Sequence, residues 1–138
     1  MGLFNTAVSF HRSADHLAAA KVKVPHREFP VRFLYYHCFE LYLKAFLRMH
    51  SVTPRKLQEI GHKPNRLQFE AERRGFVLSS EDHWVLQQIA SSDSVIRSHY
   101  IETGAFSWPA LESLTRTAEA LRKTTRDGLN AAGEPVMS

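Results

Sequence analysis

Cysteine is nearly absent from the 138 residues: Cys38 stands alone, which excludes an internal disulfide and a thiolate metal cluster. No apolar run reaches the length of a membrane span, and no signal-peptide pattern is visible, so the chain reads as cytosolic, with no membrane partner. Alternation of apolar and polar residues at period two is missing over any useful length, which argues against strands. Repeats and low-complexity segments are missing as well. So are a glycine-rich phosphate loop, a serine nucleophile elbow and a His-x-x-x-His pair, although there are eight histidines. Neither a metal nor a cofactor is expected. Glu59 and His62 make a formal Glu-x-x-His, but Gly61 between them ends the helix that such a pair needs.

What is present is an ordinary globular composition, 43% hydrophobic and 23% charged, in a length suited to one domain. The chain is read as a single helical domain over residues 1–129, with 130–138 as a flexible tail. Eighteen Lys and Arg face fourteen Asp and Glu, a net charge of +4 that is compatible with an acidic partner such as RNA.

Helical periodicity covers most of the chain. Phe4, Ala7, Val8, His11, Ala14, Leu17 and Ala18 form one stripe over Leu3 to Lys21, with Asn5, Ser9, Arg12 and Asp15 turned away. The opening Met1-Gly2 with Thr6 formally fits a myristoylation site, but the apolar spacing favours a core helix. Pro25 and Pro30 bracket a loop, and Pro30 suits the first turn of a helix from Val31 to His50. That helix is apolar or aromatic around most of its circumference and is therefore central. Past Arg32, its exceptions are His37, Glu40, Lys44 and Arg48, stacked along one narrow stripe.

Thr53-Pro54 is a cap followed by proline, opening a short helix that Gly61 stops. From Pro64 a helix of about eleven residues carries Leu67, Phe69 and Ala71, stops at Gly75, and has in Lys63 a residue without a capping acceptor. Ser79 or Ser80 caps a fifth helix with Trp84, Val85, Ile89 and Ala90, ended by Ser91 to Ser94. The last begins near Ser107-Trp108-Pro109 and repeats Leu111, Leu114, Ala118, Leu121 and Thr125 as a packing seam. Its Glu112 and Glu119 precede Arg122, Lys123 and Arg126, the order the helix dipole favours, so that basic cluster is read as solvated helix end. The fold class is all-α: a compact antiparallel bundle of four to six helices, two of them long and central.

The run Phe39-Glu40-Leu41-Tyr42-Leu43-Lys44-Ala45-Phe46-Leu47, followed by Ile60-Gly61-His62 and a helix ending at Arg74-Gly75, resembles HEPN domains. Their usual pattern is Glu-Leu-x-Leu-Lys on the second long helix, then a Gly-His-x-Leu turn. Glu40, Leu41, Leu43, Lys44, Gly61 and His62 match it, whereas Lys63-Pro64 stands where Asp-Leu is common. The likeness is specific from Tyr35 to Gly75. It implies a helical module that binds RNA or a nucleotide, or a protein partner of nucleotidyltransferase type, as a homodimer. Glu40, Lys44, His62, Arg97 and Tyr100 are the expected ligand-binding residues.

Catalytic members of the family resemble one another in an Arg followed after four to six residues by a His. In metal-independent RNA cleavage, the His serves as general acid or base and the Arg neutralises charge on the phosphate. Arg55 and His62 have six residues between them, but Lys56 follows Arg55 where a small polar residue is usual, and the pair occupies the Gly-His turn. In Arg97-Ser98-His99-Tyr100 only one residue separates Arg from His, and between Arg12 and His16 there are three. The catalytic candidates are thus Arg55, His62, Arg97 and His99, none in the family's context, and the expectation is a binding module. Two alternatives stay open: a metal-independent endoribonuclease acting as the toxin of a toxin-antitoxin pair, and an interaction scaffold without a ligand. His62 can equally hold the corner between two helices, and Glu40 with Lys44 can be a plain structural ion pair.

Overall fold

The computed structural model describes residues 2–20, 23–98 and 109–133. Every regular element among them is helical: α1 (Gly2–Ala20), α2 (Glu28–Met49), α3 (Pro54–Ile60), α4 (Pro64–Arg73), α5 (Ser80–Ser98) and α6 (Leu111–Ala131). None of the described helices is long and apolar enough to cross a membrane.

Helix α2 is the axis of the bundle. Its buried residues include Val31, Tyr35, Cys38, Tyr42 and Leu47, which point in all directions around it, as the nearly continuous apolar pattern requires. Burying one such side chain contributes about 1.5–3 kcal/mol. The helix starts three residues before the expected Val31, at Glu28, so Pro30 lies in its third position. A proline is tolerated there because the first backbone N–H groups of a helix have no intrahelical acceptor to lose.

Rings and hydrogen bonds give the packing directions. Phe4 meets Tyr42 and Phe10 meets His37, while the Arg27 side chain near the start of α2 donates to the Ala18 carbonyl near the end of α1. α1 and α2 are therefore antiparallel. Going up α6, Thr115 lies against Tyr35 and Gly128 against Met49, so α6 runs in the same direction as α2. The bundle is thus antiparallel for α1 against α2 but parallel for α2 against α6, and α3 to α5 return the chain to the starting end. Gly128 matters here, since a Cβ on it would lie 2.6 Å from the Met49 methyl carbon. At the start of α2, buried Arg32 donates to the Pro109 carbonyl and ties it to the segment before α6.

The short helices follow their local signals. Thr53 Oγ1 accepts from Lys56 N at 3.1 Å, and Gly61 ends α3 at φ +66°. Lys63 makes no side-chain cap for α4, and Gly75 follows that helix at φ +97°. Ser79 Oγ accepts from Asp82 N at 3.1 Å and caps α5.

The bounds of two helices differ from expectation. α5 continues through Ser91–Ser94 to Ser98, because serine costs a helix only about half a kcal/mol relative to alanine and no Gly or Pro intervenes. α6 opens at Leu111 and extends to Ala131, two residues into the expected tail; residues 134–138 lie outside the described residues. Phe69 of α4 and Trp84 of α5 are 60% and 47% exposed, although their helices are otherwise buried on the apolar side. Phe69 lies about a third of a turn or more from Leu67, Gln68 and Ala71, the face that α4 buries.

Candidate functional site

The turn after α3 lays His62 onto α2. His62 Nδ1 stands 2.6 Å from Glu40 Oε2, the same oxygen to which Lys44 Nζ donates at 2.9 Å. The match to Glu-Leu-x-Leu-Lys and Gly-His therefore converges on one carboxylate. Glu40 is only 6% exposed. Burial raises its pKa, but the hydrogen bonds and positive charges of Lys44 and His62 outweigh it and leave the carboxyl below its ordinary value. Beside Glu40 lies a small, mostly apolar recess lined by Tyr36, Phe39, Leu43, Pro64 and Leu67.

The rest of the polar stripe on α2 is likewise engaged inside the chain. His37 packs edge-on to Phe10 and parallel to Phe33. Arg48 Nη1 donates to the Val52 carbonyl at 3.0 Å, just past the end of the helix. These contacts make the stripe a set of structural attachments, from α1 at one end to the α3 connection at the other.

The Arg and His candidates are held apart in their pairings. Arg55 Nε lies 3.9 Å from Glu59 Oε1 on the exposed side of α3, whereas His62 is on Glu40. Arg97 falls on α5, not in a loop before the last helix. His99 and Tyr100 lie outside the described residues. Among the described residues no group of three or more His, Cys, Asp or Glu could hold a metal ion.

A second polar constellation, unanticipated from the pattern, crosses α1, α2 and α6. His11, 4% exposed, places Nδ1 2.8 Å from the Tyr42 hydroxyl and Nε2 3.5 Å from Asp15 Oδ2. The Tyr35 hydroxyl donates to Asp15 Oδ1 at 2.5 Å and lies 2.9 Å from Thr115 Oγ1. Burial raises both tyrosine pKa values, so the hydroxyls stay protonated. Because the Asp15 carboxylate facing Nε2 can only accept, the His11 proton is on Nε2, and Tyr42 donates to Nδ1. Burial lowers the His11 pKa against the opposing charges of Asp15 and Glu119, which keeps the ring neutral near pH 7. The signal was Tyr35 and Tyr42 on an apolar helix, two hydroxyls that must find partners once buried. Next to this network, Arg122 makes a two-pronged bond to Glu119 and is 12% exposed, so it belongs to the bundle and not to a solvated helix end.

Charge is distributed unevenly. Residues 44–75 hold eight Lys and Arg against three acids, while the remainder of the chain holds ten against eleven. The excess is on the surface: Arg48, Arg55, Lys56, Lys63, Arg66 and Arg73 are all exposed. On α3, Lys56 Nζ lies 4.0 Å from Glu59 Oε2. Glu70 of α4 is kept below its ordinary pKa, chiefly by the hydrogen bond from Arg74.

Comparison of the chain with protein-family models, curated proteins and solved structures finds no match.

Proposed function

We propose that the chain is a HEPN-like helical module that binds RNA through the basic surface at the end of α2 and on α3 and α4, without cleaving it. The observation that carries this reading is the concentration of the protein's positive charge in residues 44–75, outside which acids slightly outnumber bases. Phosphate neutralisation by Lys and Arg supplies most of the affinity for nucleic acid, and a charge confined to one region is its electrostatic footprint. The HEPN resemblance rests on Glu40, Leu41, Leu43, Lys44, Gly61 and His62, of which Glu40, Lys44 and His62 meet in one ion-paired corner.

Binding is favoured over cleavage because Arg55 and His62 have separate carboxylate partners. A general acid–base His needs to reach the reacting oxygen, with a cation placed to stabilise the phosphorane charge. His62 is committed to Glu40 and Arg55 extends away toward Glu59.

Incubating the protein with a labelled, partly single-stranded RNA plus chelator tests the reading. Salt-dependent binding with intact RNA is the expected result. Absence of binding at low salt overturns it, and so does chelator-resistant cleavage that is lost in His62→Ala or Arg55→Ala.

A further inference from the structure

Resting on the RNA-binding reading above, we infer that the outer face of α4 is a docking ridge for an unpaired nucleic-acid strand, with Phe69 as the stacking platform between Arg66 and Arg73. On a helix these positions, three and four residues apart, share one stripe, and Arg66 and Arg73 lie about 10 Å apart along the axis. The opposite face holds the buried Leu67, Gln68 and Ala71, so the stripe points to solvent.

Two observations combine here. The first is Phe69 itself, 60% exposed on a helix whose apolar neighbours are buried. The second is the charge around it. Among the described residues Lys63 and Arg66 make no ion pair, and Arg73 and Arg74 share the single carboxylate of Glu70. Positive charge therefore remains on both sides of the ring.

A basic track interrupted by an exposed aromatic ring is the chemistry that holds single strands, because cations follow the phosphates while the ring stacks on an unpaired base. A duplex hides its base faces, and an acidic peptide or lipid surface offers nothing for the ring to stack on.

Fluorescence anisotropy of the full chain with a labelled oligouridine of about 12 nucleotides tests this. Phe69→Ala is expected to weaken binding about tenfold, with the salt dependence unchanged. Arg66→Gln with Arg73→Gln is expected to weaken it and to flatten the slope of log affinity against log salt by about 0.7 per lost phosphate contact. All three side chains are exposed, so circular dichroism and melting temperature should match the wild type. A duplex of the same length should bind more weakly and be insensitive to Phe69→Ala.

If the wild type binds the oligonucleotide while these variants bind equally well, the ridge is wrong and the RNA-binding reading survives. If the wild type binds no RNA at low salt, both fail. Phosphatidylserine vesicles that displace the oligonucleotide, with Phe69→Ala without effect, overturn the ridge in favour of a general anionic surface.

Discussion

Glu40 and His62 are twenty-two residues apart and meet at 2.6 Å, so the turn between α3 and α4 is clamped to the central helix by a buried carboxylate. Lys44 donates to the same oxygen from one turn further along α2. Removing the charge in Glu40→Gln leaves a largely buried ammonium without its counter-ion, and we expect a loss of about 2 kcal/mol. Adding Lys44→Met should recover at least half of that, since the uncompensated charge is then gone. Urea unfolding of the single and double variants checks it; equal losses in both would remove the ion pair as the cause.

His11 makes stability depend on pH in a definite direction. Burial outweighs the attraction of Asp15 and Glu119, so the folded-state pKa lies below the ordinary value of 6.5. Between that lowered value and 6.5 the unfolded chain holds a proton that the folded one does not. Stability from this group is therefore complete above about pH 6.5, declines as the pH falls, and stops declining below the folded pKa. Glu40 adds a separate decline below its own ordinary range, as its lowered carboxyl is finally protonated. Thermal unfolding at pH 7.5, 6.0 and 5.0, approximate settings spanning the window, should show a steeper decline in the wild type than in His11→Gln. Parallel curves would refute the assignment.

Ser51 closes α2 in the left-handed region at φ +66°, with Val52 N donating to the Leu47 carbonyl at 3.0 Å. That is the position at which helices ordinarily use glycine, because a Cβ there is strained. Ser51→Gly should stabilise the protein, by about 0.5–1 kcal/mol after the extra freedom of glycine in the unfolded chain is counted. A lower denaturation midpoint in the variant would contradict this.

Much of the fold could be read from residues with one-step consequences. Thr53-Pro54, Gly61 and Gly75 mark helix ends because a side-chain acceptor, a missing N–H or a positive φ acts locally. The apolar circumference of α2 likewise has one outcome, burial on all sides. Arg122 and Phe69 were harder, because helical spacing says which residues share a face and not which face meets a neighbour. Arg122 faces the bundle, where Glu119 satisfies it, and Phe69 faces away. The same limit hid the His11–Tyr42 bond, which joins residues thirty-one apart. At the candidate site, the spacing put Glu40 and Lys44 on one helix face, but only the three-dimensional pairing shows that His62 joins them on one carboxylate.

Thr117 and Thr125 allow one substitution to be tested twice with opposite outcomes. Both are completely buried on the inner face of α6. Thr117 Oγ1 donates to Asp82 Oδ1 at 2.7 Å, joining α6 to the first turn of α5, whereas Thr125 Oγ1 has no hydrogen-bond partner among the described residues. Valine matches threonine in shape and in β-branching, so helix propensity nearly cancels and the hydroxyl decides. At Thr125 it is a desolvated polar group without compensation, and Thr125→Val should stabilise by about 1 kcal/mol, near 4 °C in melting temperature. At Thr117 the same change takes a donor from the buried Asp82 carboxylate and should cost about 2 kcal/mol. Scanning calorimetry of the two variants gives both signs directly. A destabilised Thr125→Val would mean that its hydroxyl has a bonded water or a relaxed backbone partner, and a neutral Thr117→Val would mean that Asp82 is adequately held by Ser79 alone.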